Sequence, residues 1–175
     1  MAAYPAELEK RLRLRDGRMV HIRPVRRDDD LAERDFIQHL SGETRYLRFQ
    51  KWVHAPSDRL IHFLTDVDHD KHLALLGTHA RDGGEEVVGE ARYVAAPDGR
   101  SCELGIVIAD AWQKSGLAGV LMDALMQAAR ARGLRRMEGL VLATNRPMLR
   151  FVRALGFRVE PVPEDRTLVR IVKEL

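Results

Sequence analysis

The residues Trp112-Gln113-Lys114-Ser115-Gly116-Leu117-Ala118-Gly119 are the first in this chain whose types and spacing point to chemistry. An apolar run, Leu104 to Ala109, precedes them. Apolar residues follow at 117, 120, 121, 124, 125 and 128, the i, i+3, i+4 spacing of an amphipathic helix. Gly133 stops that helix, with Arg130 and Arg132 in its last turn, where cations suit the helix dipole. The segment reads as strand, glycine-containing turn, helix. Such a turn aims several unpaired backbone N–H groups at one spot beside the positive end of the dipole. Gly116, Gly119 and the small Ala118 let an anion approach the backbone, so the turn is expected to cradle phosphate, with Gln113, Lys114, Ser115 and Leu117 completing it. It lacks the Gly-Lys-Ser/Thr of a Walker loop and is not GxGxxG.

Glu103 is the second candidate. It opens the apolar strand Leu104-Gly105-Ile106-Val107-Ile108, where desolvation would raise the pKa of a carboxyl toward that of a useful base. An outward, solvated carboxylate is the commoner fate of a strand Glu, and both readings stand at this point. Glu103 lies five to six residues before the end of the strand that leads into the phosphate cradle, roughly 15–20 Å at ~3.3 Å per residue. Glu90, on the neighbouring strand, is a reserve base. Asp66, Asp68 and Asp70 read as a solvated loop, and Cys102 as a packed strand residue.

Those residues need a scaffold, and the chain supplies one in order. Leu12 to Arg15 and Arg18 to Val25 flank Asp16-Gly17, a signal for a type I′ hairpin. Asp28, Asp29 and Asp30 supply an N-cap and first-turn acids for a helix through Leu40. Ser41-Gly42 breaks it, Thr44 to Phe49 reads as a link, and a second helix runs from Pro56-Ser57 to about Asp66. Strands follow at 72–80, 87–96 and 101–109, joined by turns at Gly83-Gly84 and Pro97-Asp98-Gly99. After the long helix come a buried strand at 137–143, a short helix capped by Asn145 with Met148, Phe151, Val152 and Leu155 on its apolar face, and two strands near 157–161 and 167–173. The order β-α-α-β-β-β-α-β-α-β-β is mixed α/β with a central antiparallel meander.

The bulk numbers fit one domain over 1–175. At 175 residues, 45% apolar and 31% charged, the chain can bury a core of ordinary size. No apolar run approaches the ~20 residues of a membrane span, and the charged N-terminus is no signal-peptide core. One cysteine rules out an internal disulfide, and the seven histidines lack metal-binding spacing. Net charge is +3 with basic and acidic residues interleaved, so neither nucleic acid nor membrane is an expected partner. A metal-free cytoplasmic protein is expected.

The pattern Gln113-x-x-Gly116-x-Ala118 resembles the acetyl-CoA pyrophosphate loop of the GNAT acyltransferase superfamily, Gln/Arg-x-x-Gly-x-Gly/Ala. Thr144-Asn145-Arg146-Pro147-Met148, followed by Leu155-Gly156-Phe157, is similar to the family's Asn-capped helix ending in Gly-Phe. Both stand at the family's spacing and in its element order, so the resemblance covers residues 18 to 173. It implies a GNAT-like, mostly antiparallel twisted sheet flanked by about four helices. It also implies acetyl-CoA as co-substrate, with Ile106, Val107 and Ile108 offering backbone to the pantetheine arm and Asn145, Met148 and Phe151 beside it. Glu103 then becomes the general base for an attacking amine. Tyr46-Leu47-Arg48-Phe49, Gly89-Glu90-Ala91-Arg92-Tyr93, Glu103 to Val107 and Asn145-Arg146-Pro147-Met148 more narrowly resemble the GNAT domain of bacterial protein-lysine acetyltransferases acting on acyl-CoA synthetases. That likeness implies a protein lysine as acceptor. A small-molecule amine acetyltransferase and a non-catalytic acyl-CoA sensor are the alternatives. Many relatives place a Tyr acid four residues before the Gly of Gly-Phe; here Val152 stands there and donates no proton. The acceptor, acyl-chain preference and oligomeric state are not legible in the sequence.

Overall fold

The computed structural model describes residues 2–175, and one eight-stranded sheet runs through them. Its strands are β1 (Lys10–Arg13), β2 (Met19–Pro24), β3 (His72–Arg81), β4 (Gly84–Ala95), β5 (Ser101–Ile108), β6 (Arg136–Leu142), β7 (Arg158–Pro161) and β8 (Leu168–Glu174). They lie in the order β1-β2-β3-β4-β5-β6-β8-β7, and every pairing is antiparallel except β5 with β6. The helices are α1 (Asp30–His39), α2 (Gly42–Phe49), α3 (Asp58–Thr65), α4 (Leu117–Ala131) and α5 (Arg146–Ala154). No helix among the described residues is long and apolar enough to cross a membrane.

Two apolar layers cover the sheet. Leu117, Leu121, Met122 and Leu125 of α4, with Leu149 and Val152 of α5, pack on one face against Leu73, Leu75, Ala91 and Tyr93. Phe36 and Ile37 of α1, with Ile61 and Leu64 of α3, pack on the other against Ala74, Leu76 and Val107. The central strand β3 is buried from Leu73 to Thr78, which is why its apolar residues run on without alternation.

Two glycines set where α4 begins. A Cβ on Gly89 would lie 2.9 Å from Leu117 Cδ2, and one on Gly77 would lie 3.0 Å from Leu117 Cδ1. Their missing side chains form a notch that takes the fully buried Leu117 and presses the first turn of α4 onto the sheet. The strand register also shifts here: Gly77 faces Gly89 but Thr78 faces Val87, leaving Val88 as the extra residue of a bulge whose carbonyl accepts from Ala109 N–H at 2.9 Å. Gly89→Val is therefore expected to overpack the notch. The expected cost is about 1–3 kcal/mol by denaturant titration, with weakened acyl-CoA binding because the helix N-terminus is displaced. An unchanged midpoint and affinity would remove the notch from the account.

Two local expectations are corrected. The hairpin at Asp16-Gly17 is not type I′, since only Gly17, at φ 90°, has a positive φ. Gly17 N–H bonds to Leu14 O at 2.9 Å and Leu14 N–H to Arg18 O at 2.8 Å, which describes a type I turn closed by a left-handed glycine. The stretch read as a link, Thr44 to Phe49, is helical. Ser41 is its N-cap, accepting from Thr44 N–H at 3.1 Å, and Asp110 takes Ser41 N–H at 2.9 Å and Thr44 Oγ1 at 2.7 Å. The side chain that fixes α2 thus comes from 66 residues further along the chain.

Candidate active site

The parallel pairing of β5 with β6 covers only Ser101–Arg136, Cys102–Met137 and Glu103–Glu138. Beyond Glu103 the strands part, although β4 stays paired with β5 through Ile108 and β8 with β6 through Leu142. The unpaired edge of β5, Leu104 to Ile108, then faces a cleft with Gly139, Leu140 and Val141 on its far side. Its backbone N–H and C=O groups have no ladder partner there, the arrangement that suits a ligand with its own amides. Gln50, left-handed at φ 58°, closes one side by donating from Nε2 to Leu140 O at 2.8 Å.

The cleft is about 1120 Å³, and every residue expected at the site lines it: Glu103, Ile106, Val107, Ile108, the whole run Gln113 to Gly119, Asn145, Met148 and Phe151. At one end the first i→i−4 bond of α4 is Val120 N–H to Gly116 O at 3.2 Å, so Ala118 and Gly119 N–H lack an intrahelical acceptor. Ser115 is buried, its hydroxyl donating to Trp112 O at 2.5 Å and receiving Leu117 N–H at 3.3 Å; it braces the turn. Gln113 donates to Ile108 O at 3.3 Å and ties the turn to β5. Lys114, at φ 64°, and Gly116, at φ 92°, hold the backbone in the left-handed region. Asn145 caps α5 by accepting from Met148 N–H at 3.3 Å.

Glu103 stands at the other end, where the strands begin to part. Its side chain is exposed, not desolvated. The burial expected from its apolar neighbours fails because those neighbours alternate: Ile108 packs under α4, while Glu103, Gly105 and Val107 share the opposite face. On that face Arg48 lies over Gly105, where an added Cβ would fall 2.6 Å from Nη2. Only glycine leaves a slot for this guanidinium. The sequence quotes Arg48 and Gly105 within family-like stretches but gives no sign that they meet.

Behind Arg48 lies a buried ionic cluster. Arg92 Nε donates to Glu90 Oε1 at 2.6 Å, and its Nη1 reaches Leu64 O at 3.1 Å and His72 Nε2 at 2.9 Å. Glu33 is fully buried, with Oε1 3.7 Å from Arg92 Nη2. Burial and the neighbouring Glu90 push the Glu33 carboxyl well above the usual carboxylate range. Burial also works against ionising Glu90, but the charge of Arg92 and its hydrogen bond win and pull the pKa down to about 2. The two form a neutral acid beside a carboxylate, not two charges. Burial and then Arg92 lower His72 to about 4, leaving a neutral ring that accepts from the guanidinium. Glu90 lies outside the cleft lining and is locked in this cluster, so it is no reserve base.

Two other side chains narrow the chemistry. Cys102 is buried, its thiol pushed up to about 12 chiefly by burial, and its Sγ points to Arg136 O at 3.6 Å. It is neither exposed nor ionised, and so is not the nucleophile of an acyl-enzyme. Val152 is fully buried in the α4/α5 core. No cluster of three or more His, Cys, Asp or Glu among the described residues could hold a metal ion.

The cleft thus combines a split between two strands, a glycine-containing turn at the N-terminus of α4 and a carboxylate at the far end. Comparison with known proteins gives the family. The family model for acetyltransferase (GNAT) matches residues 31–157. The chain belongs to the GNAT family. It is 40% identical over 156 residues to acetyltransferase PA5475 of Pseudomonas aeruginosa, covering 89% of this chain and 84% of that protein. Its fold is similar to the crystal structure of the GNAT domain of S. lividans PAT, with a TM-score of 0.89 at 28% identity, over 98% of this chain and 99% of that one. It is also similar to spermidine N-acetyltransferase from Vibrio cholerae in complex with CoA and spermine: TM-score 0.69 at 17% identity, over 89% and 95% of the two chains. That last likeness is one of fold alone. As a GNAT enzyme the protein is an acetyl-CoA-dependent acetyltransferase, and its cleft offers groups that could hold that substrate: free N–H groups at the start of α4, an unpaired strand edge and an exposed carboxylate.

Proposed function

We propose that the protein acetylates the side-chain amine of a protein lysine, such as that of an acyl-CoA synthetase, by direct attack of the amine on the thioester. The observation that carries this reading is the open amine end of the cleft. Glu103 is exposed where β5 and β6 part, so a lysine presented on another protein reaches it from solvent. The resemblance of the Tyr46–Phe49, Gly89–Tyr93 and Asn145–Met148 stretches to protein-lysine acetyltransferases supports the same acceptor, as does the near full-length likeness to the S. lividans PAT domain.

At pH 7 a lysine of ordinary pKa is deprotonated only about once per ~2,500 molecules. Glu103, directly or through one water, accepts the proton that the ammonium gives up. The neutral nitrogen forms its bond to the thioester carbonyl carbon, the C–S bond breaks, and the sulfur leaves as thiolate. As the adduct collapses to the amide, its nitrogen gives up the second proton to solvent, and the thiolate takes a proton from solvent, since Val152 cannot supply one. The unpaired edge of β5 holds the arm so that the carbonyl lies near Glu103.

Thiol release from acetyl-CoA tests the acceptor, with a purified acyl-CoA synthetase in one arm and a panel of small amines including polyamines in the other. Faster release with the synthetase, accompanied by acetylation of one of its lysines, is expected. Release with small amines only would move the substrate to the small-molecule class, which the fold of the Vibrio cholerae spermidine enzyme also serves.

A further inference from the structure

We infer that Arg15 is a phosphate ligand of the bound acyl-CoA, reaching the loop from the β1–β2 turn on the far side of the cleft mouth. A Cβ placed on Gly116 would lie 3.1 Å from Arg15 Nε, 3.5 Å from Nη2 and 3.6 Å from Cζ, so the guanidinium lies against the glycine that opens α4. Both residues line the acyl-CoA cleft, together with Lys114.

The electrostatics of this placement are unfavourable as they stand. The N-terminus of α4 carries the positive end of a 15-residue helix dipole, where a cation is disfavoured and an anion favoured. No ion pair or hydrogen bond engages Arg15 among the described residues. The other arginines near the turn are committed: Arg13 donates to Gly17 O at 3.0 Å, and Arg18 pairs with Asp16 at 2.7 Å. A phosphate between the guanidinium and the loop N–H groups resolves the conflict, because it accepts from both.

The turn is also held in place against the loop. Arg18 donates to Ala111 O at 3.0 Å and stacks 3.8 Å over the ring of Trp112, which is buried, and Leu14 is buried beside them. Arg15 is thus presented by a fixed hairpin whose basic character the sequence does not connect to the loop 100 residues on.

The inference rests on the acyl-CoA reading of the cleft, and its test separates the two. Binding of CoA, 3′-dephospho-CoA and pantetheine is measured by calorimetry for the wild type, Arg15→Ala and Arg15→Lys. Loss of one charge-assisted phosphate contact lowers CoA affinity about tenfold or more in Arg15→Ala, less in Arg15→Lys, and leaves pantetheine affinity unchanged. A defect that persists with 3′-dephospho-CoA assigns Arg15 to the diphosphate, and one that vanishes assigns it to the 3′-phosphate; either supports the inference. Unchanged CoA affinity, or an equal loss for pantetheine, overturns it. A wild type that binds none of the three overturns the acyl-CoA reading itself, and Arg15 falls with it.

Discussion

Glu103→Gln is expected to lower kcat by roughly 10²–10⁴-fold while leaving acetyl-CoA affinity unchanged. The substitution keeps shape and removes the acceptor of the amine's proton. It lies at the far end of β5 from the phosphate loop, so the binding groups at Ala118 and Gly119 are untouched. The loss shrinks as pH rises, because more of the acceptor amine is then neutral without help. Steady-state kinetics over that pH range, paired with binding measurements, check it. Full turnover by Glu103→Gln at neutral pH, with acetyl-CoA still bound, would end the general-base assignment. Glu90 offers no fallback, since Arg92 holds it as a buried carboxylate outside the cleft.

Arg92→Met is expected to destabilise the fold by about 3–5 kcal/mol. It strands a carboxylate and a neutral acid in the interior and removes the donor to Leu64 O. Glu33→Gln is expected to be close to neutral, because Glu33 is already held in its uncharged form and a neutral amide of the same shape replaces it. The two carboxyls have opposite signs in pH dependence. Glu33 is raised in the fold, so the folded state keeps a proton that the unfolded chain loses above ~4.3, and its contribution weakens as pH rises from there toward the folded value. Glu90 is lowered to about 2, so its contribution is present above ~4.3 and is lost as pH falls toward 2. Glu33→Gln should flatten the upper limb and leave the acid limb intact. Denaturant titrations across pH decide: a Glu33→Gln protein several kcal/mol less stable than wild type would mean that Glu33 is a needed charge.

Elements whose cues are local were legible in the sequence. Strands β3 to β5 follow from apolar runs bounded by Gly83 and Pro97-Asp98-Gly99, and α4 from its apolar spacing and Gly133. The turn into α4 was legible because glycine, backbone N–H and helix start are consecutive residues. What escaped depends on partners distant in the chain. Helix α2 needs Asp110, the slot for Arg48 needs Gly105, and the notch for Leu117 needs glycines on two strands. The parting of β5 from β6 is a matter of register, which no local pattern specifies. Glu33 drew no notice in the sequence because the Arg92 and Glu90 that surround it come some 60 residues later. The Glu90–Arg92 spacing, two residues on one face of a buried strand, was the one available signal of that cluster.

The measurement that bears most directly on the central claim is the mass of both proteins after a short incubation with acetyl-CoA, enzyme alone and enzyme with a lysine-bearing acyl-CoA synthetase. Direct transfer requires that the enzyme alone stays unmodified and that, with acceptor present, thiol release is matched by acetyl groups on the synthetase. An acetyl group on the enzyme formed in the absence of acceptor and then passed on would contradict direct attack, and tight acetyl-CoA binding with no acetyl on the synthetase would contradict the protein-lysine acceptor.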